Sequence, residues 1–421
     1  MNSAFVQSNT SRDRALRDRA SRVIPGGMWG HQRAEALPDG YPQFFASGRG
    51  ARVIDVDGRE YIDFMCAWGP IILGHRHPAV EEAVVRVSAQ GICLDGPTEH
   101  AVILAERLVE TVAHADWALF QKNGSDAMTS CVTMARAGTG RRKILIAKGA
   151  YHGAVPWCSP SLAGITAEDR AHLMHFDYND VESLGAAVAE AGDDLAAIVV
   201  SGFRHDLGVP QELPTRAFAE AVRQACDKAD AAMVVDDVRT GFRINLGGAL
   251  EDLGVRPDFS AFSKAIANGH ALSAITGNDR FREAANKVFV TGSFWYGGPA
   301  MAAAVATLDE LARVDGPAVM NRAGQRLRDG LDEQATRHGF CLRQSGPPVM
   351  PLVQFEGDDQ AATLGNTFCG EALRRGVYLH HKHNMFLSTA HTDAEIDRAL
   401  EATEGAFAAL SQQRTTRGEA Q

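Results

Sequence analysis

Hydrophobic positions recur along this chain with two alternating periods. From about Ala101, stretches with the helical period are predicted as helices over Ala101–Val112, Ala127–Thr139 and Ala217–Ala229. Short apolar runs rich in β-branched residues lie among them, and predict strands over Lys143–Ala147, Ala196–Ser201, Ala231–Asp236 and Asp258–Ser263. Strands that are apolar on both faces and lie between helices belong to a buried parallel sheet, so the middle of the chain reads as α/β. Ahead of it stand a polar amphipathic helix to about Pro25, a turn at Pro25–Gly27, and extended segments over Ala51–Asp57 and Tyr61–Phe64. Asp57-Gly58-Arg59 joins those two segments as a hairpin turn, because Asp-Gly takes positive φ readily. After Pro299 a long Ala-rich helix opens a smaller α+β segment, and the polar tail Ser411–Gln421 is expected to fray. The division this suggests is 1–60 for an N-terminal helix and strand segment, 61–300 for a large domain and 301–421 for a small C-terminal domain.

Composition narrows the class. At 421 residues the chain exceeds one core. Its net charge of −10 argues against nucleic acid or an anionic membrane as partner, and suits a cationic small molecule. The seven cysteines are scattered without a CxxC pair, which points to reduced thiols in the cytoplasm and to no metal site. Charged residues occupy the first twenty positions where a signal peptide needs an apolar core, and no apolar run approaches the roughly 20 residues of a membrane span.

Four loops carry the candidate chemistry, each beside a predicted strand or helix. Asn123-Gly124-Ser125 precedes a helix, where free N–H groups and a hydroxyl suit a phosphate; the plainer reading is N-capping by Ser125 or Asn123. Tyr151-His152-Gly153 follows a strand, and its ring either stacks on a planar cofactor or simply packs. Asp236 ends an apolar strand, where a carboxylate is able to keep a pyridine nitrogen protonated or merely to start a turn. Lys264 ends another strand 28 residues later, a costly place for a lysine unless it is neutralised or used. Phosphate cradle, aromatic plate, acid and lysine together are the parts of a pyridoxal 5'-phosphate site.

With those residues in view, the chain resembles the class III aminotransferases, and within them the glutamate-1-semialdehyde aminomutase branch. The likeness runs from about Pro25 to Leu400. It rests on Asp55–Asp63, Trp68–Pro78, the Tyr151-His-Gly turn, Asp236–Arg243 and Ala390–Asp393. The resemblance implies a pyridoxal-phosphate fold type I homodimer, with a mostly parallel large-domain sheet, a smaller α+β C-terminal domain and active sites shared between subunits. It further implies that Lys264 holds the cofactor as a Schiff base and moves protons, and that Asp236 pairs with the pyridine nitrogen. Val238 and Tyr151 would cover the two ring faces, with His152 beside them. Asn123, Gly124 and Ser125 would bind the phosphate, which a partner hydroxyl, here Ser293, completes.

Departures from that pattern bear on the substrate. Ser201-Gly-Phe-Arg-His-Asp206 stands where relatives read Glu-Pro-Val, Gly30-His-Gln-Arg33 replaces Ser-Pro-Val-Arg, and His380–Asn384 replaces a segment with Ser and Glu. These changes make Trp29, Arg33 and Arg204 the candidate substrate residues, with Trp68, Trp295 and Tyr296 as stacking surfaces. They resemble enzymes that aminate sugar carbonyls in aminoglycoside antibiotic biosynthesis, so the expected reaction is ping-pong transfer from an amino donor to a sugar-like carbonyl acceptor. The alternative is an epimerase or aminomutase acting at an amine-bearing carbon; an epimerase would take a second acid or base from His31, Tyr151 or Cys66. An inactive binding protein on the same scaffold is disfavoured by the presence of both Asp236 and Lys264.

Overall fold

The computed structural model describes residues 11–38 and 40–418. Its strands are β1 (Phe45–Arg49), β2 (Arg52–Asp55), β3 (Glu60–Asp63), β4 (Trp117–Gln121), β5 (Lys143–Ala147), β6 (Leu173–Phe176), β7 (Leu195–Ser201), β8 (Ala232–Asp236), β9 (Phe259–Phe262), β10 (Ser273–Gly277), β11 (Leu342–Ser345), β12 (Leu352–Phe355) and β13 (Val377–Tyr378). The central sheet has the order β4-β10-β9-β8-β7-β5-β6. β10 runs antiparallel to both its neighbours and the other pairs run parallel, so the fold is α/β with a mostly parallel sheet.

The apolar runs read from the sequence form the middle of this sheet. Every residue of β7 and β8 is buried, because helices cover both faces. The helix Gly124–Thr139 packs Ala127, Met128, Cys131 and Ala135 against one face, and Arg216–Ala229 packs Phe218, Val222 and Cys226 against the other. Since β10 is antiparallel to β4 and to β9, the carboxyl ends of β4, β5, β7, β8 and β9 lie along one edge. All four candidate loops leave from that edge, where open α/β sheets bind ligands.

The Asp57-Gly58-Arg59 hairpin forms as expected between β2 and β3, with Asp55 Oδ1 accepting the amides of Asp57 and Arg59 at 2.9 Å each. β13 pairs in parallel with β3, which joins N-terminal and C-terminal residues in the sheet β1-β2-β3-β13. The Ala-rich helix runs over Gly298–Val314. The tail differs from expectation. A helix from Asp393 continues to Gly418, because Ile396, Ala399, Ala406, Phe407 and Leu410 bury one face and carry its polar end along.

Arg243 pins these parts together. It is fully buried, and its guanidinium donates to the carbonyls of Leu387 (2.5 Å), Gly69 (2.6 Å) and Ile71 (2.7 Å) while lying over the Phe386 ring. Burial lowers its pKa to about 10, so it remains a cation at neutral pH. Arg243→Met fills much of the volume but strands three buried carbonyls, and is expected to cost about 3 kcal/mol of stability. Urea unfolding of both forms checks this; an unchanged midpoint would remove the strut assigned to Arg243.

Candidate active site

A cleft of about 320 Å³ opens at the carboxyl edge of the sheet, lined by Asn123, Gly124, Ser125, Tyr151, His152, Asp236, Val238 and Lys264 together. Eight of the residues singled out from sequence therefore meet in one place. Each arrives for a local reason.

Asn123 caps the helix Gly124–Thr139: its Oδ1 accepts the Asp126 amide at 2.9 Å, and its Nδ2 donates to Asp126 Oδ2 at 2.7 Å. The plainer reading of Asn123 thus holds for its side chain. The first-turn amides of Gly124 and Ser125 precede the intrahelical ladder and face the cleft, where they are open to an anion. A side chain at Gly124 would lie 2.7 Å from Val238 Cγ1, and one at Gly153 would lie 2.5 Å from Ser125 Oγ. Gly153 also has φ +123°, and Ser125 Oγ accepts the Ala154 amide at 3.2 Å. Two glycines therefore keep this corner open. Gly153→Ala forces both a strained φ and a contact that must give, and is expected to weaken cofactor binding at least about tenfold, the equivalent of ~1.4 kcal/mol. Equilibrium dialysis against pyridoxal phosphate measures it; unchanged affinity would show that the corner plays no part.

Asp236 ends β8 almost buried, with Oδ1 accepting the Val238 amide at 3.1 Å and Oδ2 paired with His152 Nδ1 at 2.7 Å. An ionised Asp236 only accepts, so His152 carries its proton on Nδ1. Its buried Nε2 has no partner among the described residues. Tyr151 stands at the rim with its ring half exposed, and burial of its hydroxyl, then the neighbouring Cys158, raises its pKa.

Lys264 follows β9 with φ +44°, a left-handed conformation that costs a non-glycine residue about 1–2 kcal/mol. Neighbouring contacts hold it there. Ser263 Oγ donates to the Leu272 carbonyl at 2.9 Å, and Asn268 Oδ1 accepts the amides of Ile72 and Leu73 at 3.0 and 2.9 Å. The amine has no hydrogen bond or ion pair among the described residues. Burial, and next the charge of Arg239, push its pKa well below the ordinary lysine value, while Asp236 pulls the other way. A neutral amine is the form that attacks a carbonyl.

The remaining expected residues lie outside this cleft. Trp29 is 76% exposed, and Arg33 folds back so that its Nε donates to the Met28 carbonyl at 3.1 Å. Gly26 and Gly27, at φ +68° and +71°, turn that segment away and bring His31 to Trp68 instead. Arg204 is held by Asp206 (2.9 Å) and Glu212 (3.8 Å), and His205 lines the cleft in its place. Ser293 is exposed, and its carbonyl accepts from the Cys93 thiol at 3.2 Å. Trp295 and Tyr296 sit beside Phe120 at the β4 edge, away from the cleft. Cys66 is buried with its pKa raised well above the usual thiol value by burial, then by Asp63, which removes it as a base.

Two further residues belong to segments singled out from the sequence but were given no role there. Arg239 is part-buried and lines the cleft, donating to His383 Nε2 at 3.1 Å and to Asn384 Oδ1; desolvation lowers its pKa to about 10. His205 donates from Nδ1 to the Phe203 carbonyl at 2.9 Å, and burial lowers its pKa well below the usual value. Neither has a spacing signal in the sequence. Their role comes from a sheet edge that only the fold defines. Among the described residues no His, Cys, Asp and Glu cluster could hold a metal, and no helix is long and apolar enough to cross a membrane.

A helix start with open amides, a lysine whose amine has no partner among the described residues, and an acid in the same cleft fit pyridoxal phosphate, and with this sheet they define a fold type I pyridoxal-phosphate enzyme. Residues 37–407 match the family Aminotransferase class-III. The chain belongs to the class III aminotransferases. It is 46% identical over 403 residues to the aminopentol aminotransferase of Sphingopyxis macrogoltabida, covering 96% of this chain and 95% of the relative. It is 33% identical over 428 residues to the glutamate-1-semialdehyde 2,1-aminomutase of Acetivibrio thermocellus, covering 95% and 99%. The Sphingopyxis sp. MTA144 FumI protein, solved in its pyridoxal-phosphate internal aldimine form, superposes with a TM-score of 0.93 at 44% identity, covering 96% of this chain and 97% of that one.

Proposed function

We propose that the enzyme takes the amino group from an amine-bearing carbon of a polyhydroxylated substrate and passes it to a separate carbonyl compound. The observation that carries this reading is the 46% identity, over nearly the whole chain, to a relative named for an aminopentol substrate. The sequence reading expected an aminoglycoside or amino-sugar; the relative's name supports instead the broader class of amino-polyols.

Bound pyridoxal phosphate supplies an electron sink for the pair released when a proton leaves the carbon bearing nitrogen. The residues do the rest. Lys264 would hold the cofactor, be displaced by the substrate amine, and then carry the proton to and from the reacting carbon. Asp236, steadied by His152, would keep a proton on the pyridine nitrogen. Val238 and Tyr151 would pack the two ring faces. The Gly124 and Ser125 amides with Ser125 Oγ would hold the phosphate, with Asn123 fixing the turn by its cap.

A homodimer that shares its sites fits the exposed apolar side chains Ile92, Leu94, Phe289 and Phe294 around the Ser293 segment, and Ser293 would then serve the partner's phosphate site. We place the enzyme in the cytoplasm, in keeping with its seven free cysteines.

Stopped-flow absorbance of the holoenzyme tests the reaction. An amino-polyol alone should bleach the visible cofactor band, and a 2-oxo acid should then restore it with stoichiometric formation of the amino acid. A band that recovers with no acceptor added, while the amine is isomerised, would replace the transaminase with an aminomutase or epimerase. That rival draws support from the 33% identity to an aminomutase.

A further inference from the structure

A second wall adjoins the cofactor cleft. Cys66, Ala67 and Trp68 are consecutive left-handed residues with φ of 48°, 54° and 66°. Asp63 Oδ1 holds this turn by accepting the amides of Met65 and Cys66, each at 2.9 Å. Three successive non-glycine residues in this region are strained, and such strain persists where the surroundings fix a side chain in place. The side chain presented is Trp68. The indole meets the His383 ring, which accepts from Arg239 of the cleft lining, so this wall reaches the edge of the cofactor cleft.

Three imidazoles surround that indole: His31 at 4.5 Å, His383 at 4.9 Å and His380 at 5.7 Å between ring centroids. Their hydrogen bonds differ. His383 has both nitrogens in use, one accepting from Arg239 and the other donating to the Asn384 carbonyl. His31 stands at the outer rim, exposed. His380 is 7% exposed, and its Nδ1 accepts two amides, from Lys382 at 3.1 Å and His383 at 2.9 Å. A nitrogen that accepts cannot carry the proton, so the proton of the neutral ring sits on Nε2. That N–H has no partner among the described residues. The atom is not sealed in, so the N–H is open to a ligand as well as to solvent.

Building on the amino-polyol reading, we infer that His380 is a specificity-determining residue, whose Nε2–H donates to one hydroxyl of the substrate while Trp68 packs its carbon chain. Burial keeps His380 neutral, with a pKa lowered to about 3 and pushed further by the neighbouring His381 and Lys382. It therefore offers a hydrogen bond without a charge, which suits a hydroxyl better than a carboxylate. The indole face suits the C–H groups between hydroxyls.

The test uses the holoenzyme, a linear amino-polyol and a set of analogues each lacking one hydroxyl. In the wild type, one deoxy position should lower kcat/KM about tenfold, the value of one hydrogen bond to a neutral group. His380→Asn keeps an oxygen for the loop amides but removes the ring N–H. It should lower kcat/KM for the full polyol about tenfold, acting through KM, and leave that one deoxy analogue within about twofold of wild type. A tenfold preference that survives in H380N, or a uniform fall for every analogue, would overturn the inference. A wild type indifferent to all the hydroxyls would instead take down the amino-polyol reading beneath it. If H380N does not fold, histidine-selective ¹⁵N spectra of the wild type decide: one Nε2–H resonance should shift on adding a linear polyol without an amine, and no shift would overturn the inference.

Discussion

Lys264→Ala is expected to lower turnover by more than about 10⁴-fold, since it removes the amine that holds the cofactor and the base that moves the proton. The loss should be chemical and not structural. The Lys264 amine makes no hydrogen bond among the described residues, and the turn around it is fixed by Ser263 and Asn268. The melting temperature of the variant should therefore stay within a few degrees of wild type while single-turnover amine transfer disappears. A variant that transfers amines at more than a hundredth of the wild-type rate would show that another group moves the proton.

Asp236→Asn is expected to lower kcat about 10³-fold, the second-largest effect. Asparagine has one oxygen for the two donors: kept on the Val238 amide, it turns its NH2 toward His152, which must then move its proton to Nε2 and accept at Nδ1. What it lacks is the negative charge that would keep a proton on the pyridine nitrogen. Because the charge acts on the transition state, the fall should appear in kcat with KM little changed. Single-turnover spectra separate the two quantities. A loss confined to cofactor affinity would assign Asp236 to anchoring alone.

The contrast between these two residues and Arg33 shows what the sequence made legible. Asp236 and Lys264 sit at the ends of apolar strands, and such runs announce themselves by composition; once both strands are in one parallel sheet, their ends must share an edge. Gly124 was legible from the helix it opens, and Gly153 from the turn that follows β5. Arg33 and Arg204 instead depend on where a loop goes after it leaves the core. Two positive-φ glycines turn Arg33 aside, and Asp206 and Glu212 engage Arg204. Neither outcome follows from periodicity. β4 escaped notice because Trp117–Gln121 holds no β-branched residue, and β10 because Ser273, Thr276 and Gly277 leave it little apolar run. The wall of Trp68 and His380 joins residues more than three hundred positions apart, brought together where β13 pairs with β3. Only the fold reveals it.

The most direct measurement of the central claim is borohydride reduction of the holoenzyme, followed by proteolysis and mass spectrometry of the peptides. Reduction would weld the cofactor to the lysine that holds it. The account predicts one modified peptide, carrying the pyridoxyl phosphate mass on Lys264. Modification of Lys122 or any other lysine, or a protein left unmodified after saturation with pyridoxal phosphate, would contradict it.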